Sequence, residues 1–113
     1  LVLENWGIIF LGNTLAYRNE VRVVRAIRAL IHGRVQGVFF RAYTRDRAHK
    51  LKLVGWVRNN RDGTVECQVQ GPNLAIEKFI QFLHHGSPLA RVDNVAITNV
   101  EVDPKLCDFK ITY

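Results

Sequence analysis

An α+β sandwich is the fold this sequence predicts, and three features predict it. Strand-like and helix-like stretches follow one another in the order βαββαβ, with a short extra strand at the end. The clearest strand, residues 64–70, alternates Val65, Cys67 and Val69 with Glu66, Gln68 and Gln70, so one face of its sheet is polar and open to water. The second helix gathers its large apolar residues into one stripe. A sheet with one wet face takes its helices on the other. The expectation is an antiparallel sheet with two helices packed on one face, the ferredoxin-like sandwich.

Each element has its own justification. Residues 23–31 read as a strand with Ile27, Ala29 and Ile31 on one side, although arginines at both parities blur which side is core. Residues 40–51 read as a helix with Phe40, Tyr43, the Arg47 stem, Ala48 and Leu51 along one flank. Residues 54–59 and 64–70 are strands joined by Asn60-Arg61-Asp62-Gly63, a strong turn signal. Gly71-Pro72-Asn73 opens the second helix, whose Ile76, Phe79, Ile80 and Leu83 recur at helical spacing until Gly86 and Pro88 end it. Residues 92–102 and 107–113 supply the last strands, the latter with Cys107, Phe109, Ile111 and Tyr113 inward.

Size and composition bound the function. A chain of 113 residues with 48% hydrophobic and 23% charged content suits one ordinary globular domain with a modest core. Residues 1–20 read as an N-terminal extension of unknown structure and 21–113 as the domain. The apolar run from Trp6 to Leu11 is too short to span a membrane, and Glu4 without a basic flank makes a poor secretory signal. Cys67 and Cys107 are too few for a disulfide scaffold and read as packing residues of a reduced, cytoplasmic protein. His32, His49, His84 and His85 have no metal-ligand spacing, so no metal is expected. The net charge of +6 suits an anionic substrate and equally a nucleic acid, but the basic residues are spread along the chain rather than gathered in a stripe.

The chemistry concentrates in Gly33-Arg34-Val35-Gln36-Gly37-Val38-Phe39-Phe40-Arg41, between the first strand and the first helix. A helix start leaves amides unpaired and carries partial positive charge, which makes it a ready anion site. Arg41 is unfavourable there on dipole grounds alone, unless an anion is shared between it and the amides. Taken alone, the stretch is equally a glycine turn with solvated arginines. A second segment, Gly55-Trp56-Val57-Arg58-Asn59, tilts the balance.

Together the two segments resemble the signature pair of the acylphosphatases, small enzymes that hydrolyse the carboxyl–phosphate bond of acyl phosphates. The matching patterns are Gly-Arg-Val-Gln-Gly-Val-x-Phe-Arg at 33–41 and Gly-Trp-Val-x-Asn at 55–59. The likeness continues through Gly-Thr-Val at 63–65, Gln-Val-Gln-Gly-Pro at 68–72, Gly-Ser-Pro at 86–88 and Phe-x-Ile-x-Tyr at 109–113. It covers residues 25–113 and implies the same fold by a separate route. It also implies an arginine and an asparagine as the working side chains, here Arg41 and Asn59.

Those residue types suit the reaction. The leaving group is a carboxylate, a weak base that needs no strong acid, so the work is holding the phosphoryl group and stabilising charge on its oxygens. Amides from Arg34 to Val38 can curl into a nest, with Gly33 and Gly37 allowing the backbone geometry. Arg34, Val35, Gln36, Gly37, Val38, Gly33 and Arg41 are thus the expected phosphate-binding residues. Arg41 offers a permanently charged fork for two oxygens. Asn59 can donate to and accept from a water and fix its line of attack, though without the first motif it reads as a turn-capping asparagine. No Gly-Lys-Ser/Thr follows the loop, so ATP, Mg²⁺ and other cofactors are not implied. His32, near the loop, and Asp62, in the turn, are weaker candidates. Phe39 and Trp56 read as core or rim contacts, and Asn60 stands where the family frequently has a hydroxyl residue.

The expected enzyme is a monomer acting on small acyl phosphates, with phosphate or sulfate as product or product analogue, and with no membrane or nucleic-acid partner. A non-catalytic ferredoxin-like module binding RNA or protein competes, but the sheet lacks the aromatic Lys/Arg-Gly-Phe-x-Phe strand of the common RNA binders. The carbamoyl-phosphate-handling form of this domain in hydrogenase-maturation proteins is a third reading. The end of the chain at Tyr113, without zinc-finger sequences, counts against it at this stage.

Overall fold

A computed structural model describes residues 24–113; the expected extension over 1–20 lies outside the described residues. Seven elements follow in order: β1 (Val24–Arg34), α1 (Phe40–Lys50), β2 (Val54–Asn59), β3 (Val65–Pro72), α2 (Asn73–Leu83), β4 (Arg91–Val100) and β5 (Phe109–Ile111). They form one five-stranded sheet in the order β4-β1-β3-β2-β5. β3 is central, antiparallel to β1 and β2, and β1 is antiparallel to β4 as well. The expectation of a wholly antiparallel sheet needs one correction, since β5 runs parallel to β2.

Side-chain alternation sorts the two faces. Ile27, Ala29 and Ile31 of β1, Val57 of β2 and Val65, Cys67 and Val69 of β3 are fully buried, and Phe40, Ala48, Ile76, Phe79 and Leu83 from the two helices join them in one core. Desolvation there pushes the Cys67 thiol up to about 12, so it stays a neutral packing group. The opposite face carries Arg28, Trp56, Arg58, Glu66 and Gln68. The Trp56 ring lies between the guanidinium groups of Arg28 and Arg58, at 5.7 and 5.0 Å. Trp56 is therefore a residue of the wet face and not of the core.

Four other expectations change. Tyr43 is 45% exposed, and Thr44 takes the buried place between Phe40 and Ala48, because i, i+4 and i+8 set the stripe of α1. Gln70 is buried although its parity is outward; its side-chain amide donates to Asp103 O and its carbonyl accepts the Asp103 amide. The last strand is only three residues long, so Cys107 and Tyr113, both expected inward, are exposed while Phe109 is buried against Phe79. β1 runs on to Arg34, three residues beyond the expected end, and so delivers the chain to the 35–39 loop at the rim of the sheet.

Candidate active site

Between β1 and α1 the chain makes a loop whose amides are unspent. Among the described residues, no amide from Val35 to Ala42 donates to a backbone carbonyl; the first to do so is Tyr43, to Phe39 O at 3.1 Å. No side chain caps the start of α1, and its first turn holds no acidic residue. Such a helix end leaves its donors open to water or to an anion. Gly33 and Gly37 sit at φ +135° and +75°, and a Cβ on Gly33 would lie 2.1 Å from Arg91 O. The loop can take this course only with glycine at the first of these positions.

Side chains hold the loop in place from both ends. Val35 and Val38 are buried in the core. The Gln36 amide donates to Asn60 O at 2.7 Å and Thr64 O at 2.9 Å, tying the loop to the β2–β3 turn. The buried Ser87 hydroxyl donates to Val38 O at 2.5 Å, tying it to the segment after α2. The β2–β3 turn is itself knitted together. Asp62 accepts from both the Thr64 amide (3.0 Å) and the Thr64 hydroxyl (2.6 Å), and these bonds hold its carboxyl below the ordinary value. Asn60 donates to Thr64 Oγ1 at 3.0 Å, a contact through which it serves the turn.

A cleft of about 280 Å³ opens at the loop, lined by Val35, Gly37, Arg41 and Asn59 and walled by Phe39, Ala42, Ile111 and Tyr113. Arg41 and Asn59, on different elements, thus share one space. The Arg41 guanidinium lies 5.4 Å from the centre of the Tyr113 ring, and no carboxylate among the described residues pairs with it. Its charge remains available to an incoming anion. The side-chain oxygen of Asn59 is buried and lacks a hydrogen-bond partner among the described residues. A buried acceptor left so costs about 1–3 kcal/mol, and a water donating to it removes that cost.

Of the residues singled out in the sequence, Val35, Gly37, Phe39, Arg41 and Asn59 line the cleft. Gly33 and Arg34 belong to the β1 ladder, opposite Val92 and Arg91. Gln36 turns its side chain to the hairpin and Val38 buries its own. His32 is exposed on the wet face, opposite Asn94, and faces away from the cleft. Sequence reasoning missed three supports: Gln36 as a side-chain tether, Ser87 as a strut and Tyr113 as the ring over Arg41. The Gly-Ser-Pro and terminal Phe-x-Ile-x-Tyr matches held the signal for the last two. Among the described residues no three His, Cys, Asp or Glu side chains converge, and no helix is long and apolar enough to cross a membrane.

Known proteins share this sequence pattern and this fold. The family model described as Acylphosphatase matches residues 27–111. A curated acylphosphatase of Rubrobacter xylanophilus is 42% identical over 87 residues, covering 74% of this chain and 79% of that protein. The crystal structure of acylphosphatase from Bacillus subtilis superimposes with a TM-score of 0.76 at 36% identity, over 80% of this chain and all of that one. Full-length HypF in its phosphate- and nucleotide-bound form aligns with a TM-score of 0.77 at 35% identity, over 85% of this chain but 13% of that one.

Proposed function

The chain belongs to the acylphosphatase family, a family of hydrolases, and we propose that its reaction is carried by Arg41, Asn59 and the amides of the 35–42 loop acting on a small acyl phosphate. One observation carries the proposal: a single cleft joins an unpaired arginine, an unsatisfied buried amide oxygen and a run of unspent backbone N–H groups.

In this mechanism the phosphoryl group enters the nest with its oxygens on the loop amides and the Arg41 fork. The buried Oδ1 of Asn59 accepts from a water and holds its oxygen in line with phosphorus. The water oxygen bonds to phosphorus while the bond to the acyl oxygen breaks, and its electron pair leaves with the carboxylate. Asn59 does not ionise at neutral pH, so the water is oriented rather than deprotonated by the side chain. Its protons pass to phosphate and solvent. Charge that grows on the equatorial oxygens meets donors already in position, which is how such a site lowers the barrier. The products are a carboxylate and inorganic phosphate, and sulfate is a product analogue. The proposed mechanism needs no group from a second chain, and we take the protein to act as a monomer. The free thiols Cys67 and Cys107 suit a cytoplasmic setting.

A second reading, suggested by the resemblance to the domain of hydrogenase-maturation proteins, is that carbamoyl phosphate is the preferred substrate. An assay of aryl, acetyl and carbamoyl phosphate hydrolysis in EDTA tests both. Turnover of acyl phosphates without added metal supports the first reading, a strong preference for carbamoyl phosphate supports the second, and inactivity restored by Mg²⁺ or Zn²⁺ sinks the metal-free mechanism.

A further inference from the structure

Phe39 is in a place where a phenylalanine is costly twice over. It adopts the left-handed conformation (φ 66°, ψ 21°) immediately before α1, a region that bulky L-residues rarely enter. Its ring is also 70% exposed at the mouth of the cleft that holds Arg41 and Asn59. Glycine or asparagine would meet the backbone requirement without either cost. Around the ring, Ala42, Ile111 and the aromatic ring of Tyr113 offer mostly apolar contact, and among the described residues Arg41 is the only charged side chain lining the cleft.

Resting on the hydrolase reading above, we infer that Phe39 is the specificity-determining residue of this site, and that its ring packs against the acyl part of an uncharged, aromatic acyl phosphate. Arg41 is engaged by the phosphoryl oxygens, so no lining side chain is left to recognise a carboxylate or ammonium on the acyl group. A planar acyl group seated against the Phe39 ring gains offset-stacking and burial that a methyl or amino group cannot. The cleft volume of about 280 Å³ accommodates a phosphoryl group together with an acyl group of about one ring. The left-handed backbone aims the ring at the cleft mouth, and this is the gain set against its strain.

The experiment compares kcat/KM for benzoyl phosphate and acetyl phosphate in the full chain and in Phe39→Gly, Phe39→Asn and Phe39→Tyr, with inhibition by inorganic phosphate measured on each. Glycine and asparagine both accept φ 66°, so either variant keeps the helix start. The benzoyl-to-acetyl ratio should fall on the order of tenfold in Phe39→Gly and Phe39→Asn, the size of one well-placed apolar contact in a specificity ratio. Phe39→Tyr, which keeps the ring, should restore it. A ratio that stays within twofold of the parent in both ringless variants overturns the inference, as does a loss of phosphate inhibition as large as the loss of benzoyl phosphate turnover, which would mean that the ring acts by shaping the loop. A parent protein inert toward both substrates overturns the hydrolase reading itself, while an active parent with an unmoved ratio overturns only the assignment of Phe39.

Discussion

Arg41 and Asn59 face the same cleft, and the proposed mechanism gives them different atoms of the reaction, so their variants should separate. In that mechanism Arg41 grips phosphoryl oxygens in both the bound state and the transition state. Arg41→Ala should therefore lose phosphate inhibition together with turnover, and Arg41→Lys should fail largely, because an ammonium cannot reproduce a two-point fork. Asn59 is assigned only to the attacking water. Asn59→Ala should lower kcat on the order of 10²–10³-fold while leaving competitive inhibition by phosphate nearly intact. Steady-state kinetics with phosphate as inhibitor, on variants shown by circular dichroism to be folded, checks both. Near-normal turnover in Asn59→Ala, or parent-like phosphate inhibition in Arg41→Ala, would show the division of labour to be wrong. That the two residues come together was legible in the sequence, because each stands in a short motif at an element boundary and both line one cleft. Read without the first motif, Asn59 is an asparagine beside a turn, which usually caps it; its buried oxygen without a partner among the described residues supports the proposed role instead.

At the scale of elements, periodicity was readable and long-range tethering was not. The burial of Ile27, Ala29 and Ile31, and of Ile76, Phe79 and Leu83, follows directly from periods of two and three to four. Tyr43 and Thr44 show the limit, because one position turns a helical side chain by about 100° and an apolar ring next to a threonine gives no warning that the threonine is the buried one. The Ser87 strut had no local signal at all, since its partner Val38 lies 49 residues away. Ser87→Ala leaves the Val38 carbonyl without its donor and should cost about 1–3 kcal/mol. The loss should also weaken phosphate binding, because Val38 belongs to the loop. Urea denaturation with and without phosphate measures both, and a variant as stable and as phosphate-responsive as the parent would remove Ser87 from the site's support. The β2–β3 turn gives a pH-dependent counterpart. Bonds from the Thr64 hydroxyl and amide lower the Asp62 carboxyl in the folded protein below its ordinary 3.8. Its contribution is present in full above that value and is lost as pH falls through the lower folded value. Titration of Asp62 followed by NMR should find the depressed midpoint, and Thr64→Val should raise it back toward 3.8.

For the whole molecule, the groups that make the site come from both ends of the domain. β1 and the 35–39 loop begin it, and Ile111 and Tyr113 close the cleft. A phosphate ion seated there bridges the loop, α1 and the end of β2. It should therefore stabilise the native state by mass action, by about 2.7 kcal/mol at a hundredfold excess over Kd. A melting temperature unmoved by phosphate at constant ionic strength would contradict the site. Residues 1–20 are a separate matter. We propose that they are an appendage to the domain spanning 21–113. The reason is that the family match spans 27–111, and the described residues 24–113 already hold both proposed site residues. Deleting residues 1–20 should accordingly leave a folded protein that still hydrolyses acyl phosphate and is still stabilised by phosphate. The two readouts fail in different ways. A truncated chain that is aggregated or unfolded would make the segment part of the fold. One that is folded and phosphate-responsive but inactive would instead place a group from residues 1–20 in the chemistry.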